Sequence, residues 1–317
     1  MISLFSARQQ GGPLLAGILS ITGAVLLLSL SDALVKLNSD GIALGQLLLV
    51  RSFVAACLLA GVLFVRGRIS RVGLSGNIWV WLRSLCLALM WGFYFAALPL
   101  MPLSLAAACY YTSPMWMAVL TSVLLGKPVS VKSGVSILLG LAGVVILLRP
   151  GAGDVSPVMV LPLLAGFFYA LAAVITFARC RYETPLALAF NLNLVLAVSG
   201  GAYVAVLHLV SVPDGAGFLL NAWPDLSGPA WGLLILLGLL LAIITVAVAC
   251  AYQLAPAPLI GVFDNGYLVF AVVWGIVFFA DMPDRADLAG ILLIGCAALL
   301  ASLPLAATRR CLTPRES

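Results

Sequence analysis

The chain has 317 residues, 64% of them apolar and only 9% charged, with a formal net charge of +5. Soluble domains carry about a quarter charged residues, so the composition excludes a soluble globular protein and points to a polytopic membrane protein. The net charge says little until the basic residues are placed along the chain.

Ten apolar runs are long enough to span a bilayer: 14–37, 43–65, 77–98, 103–125, 131–148, 158–178, 185–210, 231–253, 257–280 and 286–303. Residues 1–12 are polar, and the apolar run after them is too long for the core of a cleavable signal, so none is expected. Span 1 carries Asp32 and Lys36, one helical turn apart and able to pair on one face. Asp32 either holds a cationic group or serves as a structural partner; Lys36, near the span's end, has snorkelling to the headgroups as its alternative. Span 2 carries Arg51 about 12 Å below its outer end, too deep to snorkel, and a tie to Asp32 or to a carbonyl is favoured. In span 3, Arg83 shares a face with Leu87, Met90, Trp91 and Tyr94. That guanidinium either grips a carboxylate or phosphate below the aromatics, or snorkels at the inner end beside Trp79 and Trp81.

Span 4, PLSLAAACYYTSPMWMAVLTSVLLGKP, organises the chain, because it has a polar and aromatic band at membrane depth. Tyr110, Ser113, Pro114 and Met117 share one face, and Pro114 cannot donate to the carbonyl of Tyr110. In hydrocarbon such a freed oxygen must meet other protein or line a wet cavity. Gly140 and Gly143 in span 5, like Gly295 and Ala298 in span 10, mark close packing. Tyr169 with Thr176 in span 6, Asn191 and Asn193 in span 7, and Thr245 with Tyr252 in span 8 are secondary candidates, for which a helix–helix hydrogen bond is the competing use. The one histidine, His208, stands at the rim of span 7 without ligand partners. Residues 211–229 form the longest connection and have a surface-loop composition. Span 9, APLIGVFDNGYLVFAVVWGIVFFADMP, is a second version of the span 4 unit, with Asp264, Asn265 and Tyr267 at corresponding depth. The two spans are expected to be facing walls of one central site. None of the seven cysteines falls in a loop expected outside, so no disulfide is expected.

With the amino terminus inside, eleven basic residues fall on the cytoplasmic side and only Arg149 and Arg285 opposite. The opposite side collects Asp40, Asp154, Asp214, Asp225, Asp281, Asp284 and Asp287. Ten spans with both termini cytoplasmic is the economical count. A shift of 155 residues sets Pro128 on Pro283, Gly140 on Gly295 and Leu148 on Leu303. Lys127 and Lys132 flank one junction, and Asp281, Asp284 and Asp287 its counterpart. Five spans per half invert the second half, and inverted repeats that meet at a midplane site are a transporter architecture.

The order and spacing of SLSDALVKLNSDGIALGQLLLVRSF, the span 4 unit, GVSILLGLAGVVILLRPG, the span 9 unit and LAGILLIGCAALL resemble the EamA family of the drug/metabolite transporter superfamily, over roughly 14–304. The resemblance implies an all-α polytopic membrane protein of ten helices, as two inverted five-helix repeats (14–150 and 158–304) and a cytoplasmic tail (305–317), around a central cavity. It also implies helices 5 and 10 at a dimer-like edge, hence a possible homodimer, in the inner membrane. The SDALVK and GQ-four-residue-RS pattern is similar to the branch with S-adenosylmethionine and riboflavin uptake carriers; other members export amino acids or other metabolites. Lys127 stands where the family has an acidic residue.

The expected function is secondary transport of a small, zwitterionic or partly aromatic metabolite by alternating access. The substrate is expected to meet Asp32, Arg83, Trp91, Tyr94, Tyr110, Ser113, Tyr169, Asp264, Asn265 and Tyr267. The expected partners are that small molecule and the lipid bilayer, with no nucleic acid and no metal or other cofactor. No Walker motif supplies ATP as a direct drive, and a rim histidine without GxSxG or HExxH disfavours an intramembrane enzyme. A metabolite channel is the remaining alternative.

Overall fold

The computed structural model describes residues 3–65, 77–126, 131–148, 157–180, 183–210, 217–254 and 263–302, and the regular elements among them are helical. They are α1 (Ser3–Leu37), α2 (Leu44–Val65), α3 (Ile78–Ala97), α4 (Leu103–Tyr110), α5 (Ser113–Leu125), α6 (Val131–Leu148), α7 (Val160–Arg179), α8 (Pro185–Leu209), α9 (Gly217–Leu220), α10 (Gly228–Leu254), α11 (Gly266–Phe279) and α12 (Arg285–Ser302). Seven described stretches are long and apolar enough to cross a bilayer: Leu15–Leu37, Leu44–Val65, Ile78–Leu100, Leu103–Leu124, Pro157–Thr176, Pro185–Leu209 and Gly228–Val248. They coincide with expected spans 1 to 4 and 6 to 8, and make the chain a multi-pass, all-helical membrane protein. Spans 5, 9 and 10 correspond to the shorter α6, α11 and α12. Residues 257–262 lie outside the described residues, as do Arg66, Arg68, Arg71, Lys127, Arg149, Arg181 and the tail arginines on which orientation rests.

Span 4 is two helices rather than one. Tyr111 still donates to Ala107 O at 2.9 Å, but Met115 turns back to Thr112 O at 3.0 Å, and α5 starts afresh at Ser113. Pro114 has no N–H with which to continue the ladder, and this is the physical cause of the break. The carbonyl of Tyr110 faces α7: a β-carbon at Gly166 would stand 2.8 Å from it. Only a glycine lets the two backbones come this close. Gly166→Leu is therefore expected to push α7 off α4 and destabilise the protein by roughly 1–3 kcal/mol. The check is a lowered melting temperature in detergent, with Gly166→Ala losing less.

Between helices in lipid there is little hydrophobic drive, so small residues that admit close contact hold the bundle together. At the α2–α8 crossing, a β-carbon on Gly200 would lie 2.6 Å from Leu49 N and 3.1 Å from Gly45 O. At the α6–α12 crossing, one on Gly143 would lie 2.9 Å from Gly290 O. Polar ties supplement these contacts: Ser84 Oγ donates to Asn191 Oδ1 at 2.6 Å, joining α3 to α8, and Gln46 Nε2 donates to Pro224 O at 2.8 Å. Beyond these crossings, α3 packs on α7, α1 on α10, α1 on α11, and α5 on α7.

Two helices end in the left-handed region, α5 at Gly126 (φ 64°) and α11 at Ala280 (φ 52°). Glycine is at ease there, whereas alanine crowds its β-carbon against the following carbonyl. Ala280→Gly is expected to stabilise the protein by about 1 kcal/mol, measured as a raised melting temperature.

Candidate functional site

A cavity of about 260 Å³ lies among α1, α3, α7, α8, α10, α11 and the α4–α5 break. Its α3 wall is a single helical stripe, Arg83, Leu87, Met90, Trp91 and Tyr94. Asp32 enters from α1, Tyr110 and Tyr111 from the break, Tyr169 from α7, and Asp264 and Tyr267 from the start of α11 and the turn before it. Eight of the ten residues singled out from the sequence line this one space. The other two, Ser113 at the first position of α5 and Asn265 in the turn before α11, are buried and do not line it.

Tyrosines make up much of the wall. The rings of Tyr94 and Tyr169 each lie 5.4 Å from that of Tyr110, and Tyr111 stacks on Tyr267 at 5.6 Å. Their hydroxyls tie the elements together. Tyr267 Oη donates to Asp32 Oδ2 at 2.5 Å and is 2.7 Å from Tyr94 Oη, which links α1, α3 and α11. Tyr111 Oη donates to Asp264 O at 3.0 Å, linking the two helix breaks. Asp32 Oδ1 is buried without a hydrogen-bond donor.

Arg83 does not snorkel. Its Nε donates to Thr176 Oγ1 at 3.0 Å and its Nη1 to Leu188 O at 3.2 Å, both neutral acceptors. Those bonds use two of the fork's five donors, and the side chain lines the cavity. Arg51 differs from the expected tie to Asp32 or a carbonyl. It is fully buried, and Nε, Nη1 and Nη2 have no acceptor. Its guanidinium instead lies 4.7 Å from the ring centres of both Trp91 and Phe95. Two aromatic faces give a cation electrostatic contact that a sequence pattern does not reveal.

The expected Asp32–Lys36 pairing is also replaced. Lys36 Nζ donates to Met101 O at 2.6 Å and lies 3.5 Å from Asp281 Oδ2, over the ring of Phe279. A longer reach to a backbone oxygen and an acid beyond α11 leaves Asp32 to Tyr267. These contacts gather the ends of α1, α3 and α11 at one pole. Trp274 Nε1 adds a bond to Ser29 Oγ at 3.0 Å between α1 and α11.

Among the secondary candidates, Thr245 and Asn193 line the cavity, whereas Asn191 bonds Ser84 and Thr176 bonds Arg83. Sequence reasoning left out Tyr111, because an unbroken helix turns it 100° away from Tyr110; the break brings both to the cavity. It also left out the apolar stripe of Leu241, Ile244 and Val248 on α10, which looks the same in sequence as a lipid-facing stripe.

Residues 15–149 match the EamA-like transporter family. That match and relatives named as an exporter and as transporters support a transporter of the drug/metabolite type. The chain is 26% identical over 300 residues to the pseudopaline exporter CntI of Pseudomonas aeruginosa, a match that covers 92% of this chain and 96% of the exporter. It is 28% identical over 206 residues to the riboflavin transporter of Vibrio cholerae, 64% of this chain and 61% of that one. A protein of known crystal structure shares the fold with a TM-score of 0.59 and 22% identity, over 91% of this chain and 97% of that one. The family match and these relatives indicate a membrane transporter and not an enzyme.

Proposed function

We propose that the protein is a secondary transporter of a small organic metabolite, zwitterionic or partly aromatic, that works by alternating access in the inner membrane with both termini cytoplasmic. The observation that carries this reading is the single cavity in which charged and tyrosine side chains from both halves of the chain converge. An exporter and several vitamin carriers among the relatives support a small metabolite as cargo.

The ten-span inverted arrangement, 14–150 against 158–304, has three supports. Exchanging the halves turns the α3–α7 contact into α10–α1, and α2–α10 into α8–α3, and all four contacts occur. Spans 4 and 9 each contain a break, at Tyr111–Thr112 and at Asn265. The left-handed ends at Gly126 and Ala280 stand one residue from the 155-residue repeat. Broken helices at a repeat interface expose backbone and side-chain groups to a substrate at midplane. The Lys36–Asp281 pair, the Trp274–Ser29 bond and the Tyr94–Tyr267–Asp32 chain join α1, α3 and α11 toward one pole, which is the extracytoplasmic one in this reading.

Purified protein in liposomes loaded with a cell-extract metabolite mixture is expected to show saturable, selective release. Leu241→Trp, which fills the cavity from its apolar side, is expected to stop that release without unfolding the bundle. Unchanged release from a folded Leu241→Trp protein would sink the cavity as the transport site.

A further inference from the structure

Arg83 has the largest unmet demand in the cavity. Its side chain is half-buried within span 3, where an ionised group is costly unless something answers its charge. Its two bonds are to neutral oxygens, Thr176 Oγ1 on α7 and the Leu188 carbonyl on α8. Among the described residues the one salt bridge joins Lys36 to Asp281, so Arg83 has no carboxylate partner there. Nε and Nη1 make the two bonds, which leaves three of the five N–H groups, two of them on Nη2.

The same bonds fix the group in place. Thr176 Oγ1 accepts from Arg83 and donates to Ala172 O at 2.7 Å, so the acceptor is itself held. One anchor on α7 and one on α8 set the orientation of a planar guanidinium that lines the cavity. Its neighbours on the α3 stripe, Leu87, Met90 and Trp91, have no side-chain oxygen to compete for the remaining donors. A guanidinium oriented in this way is suited to the paired oxygens of a carboxylate or phosphoryl group. The rest of the lining limits the total charge. Asp32 and Asp264 line the same cavity, so two carboxylates stand against one arginine. Arg51 lies against the ring of Trp91 and is not part of the lining. A second anionic group on the cargo therefore has no lining cation to meet, and it faces two acids in a space of about 260 Å³. Like charges repel more strongly away from bulk water, and such repulsion excludes a ligand as effectively as a clash.

We propose that Arg83 selects the cargo: the cavity takes a compound with one singly charged oxyanion, a carboxylate or a phosphodiester, seated on the free donors of Arg83, and rejects both uncharged compounds and polyanions. This rests on the cavity being the transport site and narrows the class of metabolite that it carries. The remainder of the cargo is neutral or cationic, because the other ionised groups on the wall are acids. Thr176 is a positioning residue, which holds Nε and so aims the fork.

The test uses the full-length protein in liposomes loaded with the cell-extract metabolite mixture, with mass spectrometry to identify the compounds that leave. Those compounds are expected to carry one oxyanion and no second acid, while dicarboxylates and nucleotides stay inside. The most strongly released compound, offered again as its methyl ester, should leave at least roughly tenfold more slowly, because the charged hydrogen bonds are lost. Arg83→Gln should slow the free acid by about ten- to hundredfold and release acid and ester alike. Arg83→Lys keeps the charge without the fork and should fall between the two. The ester on the unaltered protein decides the matter even if a variant fails to fold. Selective release of polyanions or of compounds without an anionic group, an ester that leaves as fast as its acid, or a folded Arg83→Gln protein that still separates the two overturns the proposal. If Leu241→Trp blocks release in those cases, selection by Arg83 alone is lost. If release persists through Leu241→Trp, or the unaltered protein releases nothing, the transport site is lost with it.

Discussion

Asp32→Asn is expected to yield a folded protein that transports at least roughly tenfold more slowly. The reason is the division of labour between the two carboxylate oxygens. Oδ2 accepts from Tyr267, and an asparagine oxygen can accept the same bond, so the tie between α1 and α11 survives. Oδ1 has no donor among the described residues, and the substitution removes its charge. A charged hydrogen bond or ion contact formed only with substrate is worth about 1.5–3 kcal/mol, which corresponds to a ten- to hundredfold loss of rate or affinity. Asp32→Ala also removes the acceptor for Tyr267 and should lower the melting temperature, which Asp32→Asn should not. Flux through Asp32→Asn at the unaltered rate, in liposomes of matched protein content, would confine Asp32 to a structural role.

The sequence shows the class of this protein plainly, because an excess of apolar runs with few charges has no other use than a bilayer. It shows the site almost as well. Ionisable and tyrosine residues inside spans are costly unless they face protein or a wet space, so eight of them meet at one cavity. What sequence periodicity cannot supply is where a helix stops being regular. Pro114 announces a freed carbonyl, but only the close pass of Gly166 shows what covers it, and only the break explains why Tyr110 and Tyr111 both reach the cavity. Partner choice is hidden for a similar reason. Asp32 and Lys36 are neighbours on paper, yet Lys36 is long enough to reach Met101 and Asp281, whose positions depend on how α3 and α11 pack. Helical spacing describes one element at a time, whereas these bonds are properties of pairs of elements.

Arg51 offers the sharper trial, because its two possible roles predict opposite signs. Its side chain is wholly buried, its three nitrogens have no acceptors, and the rings of Trp91 and Phe95 are its contacts. Ring faces return only about 1–2 kcal/mol to a desolvated cation. Burying that cation costs several kcal/mol, so the guanidinium weakens the fold that holds it. Methionine has a similar length, keeps a favourable sulfur contact with the rings and carries no charge. Arg51→Met is therefore expected to stabilise the protein by roughly 1–3 kcal/mol, seen as a higher melting temperature in detergent. Transport should fall by at least roughly tenfold in the same variant, because the guanidinium packs on Trp91, which lines the cavity, and removing the cation alters the charge balance behind that wall. A residue kept for packing would show the reverse pattern, with a lower melting temperature and unimpaired flux. Arg51→Lys separates charge from shape: it keeps the cation but loses the planar stacking face, so transport should be partly retained. The pairing of higher stability with lost transport is what a strained group retained for function produces, and no packing defect gives that combination.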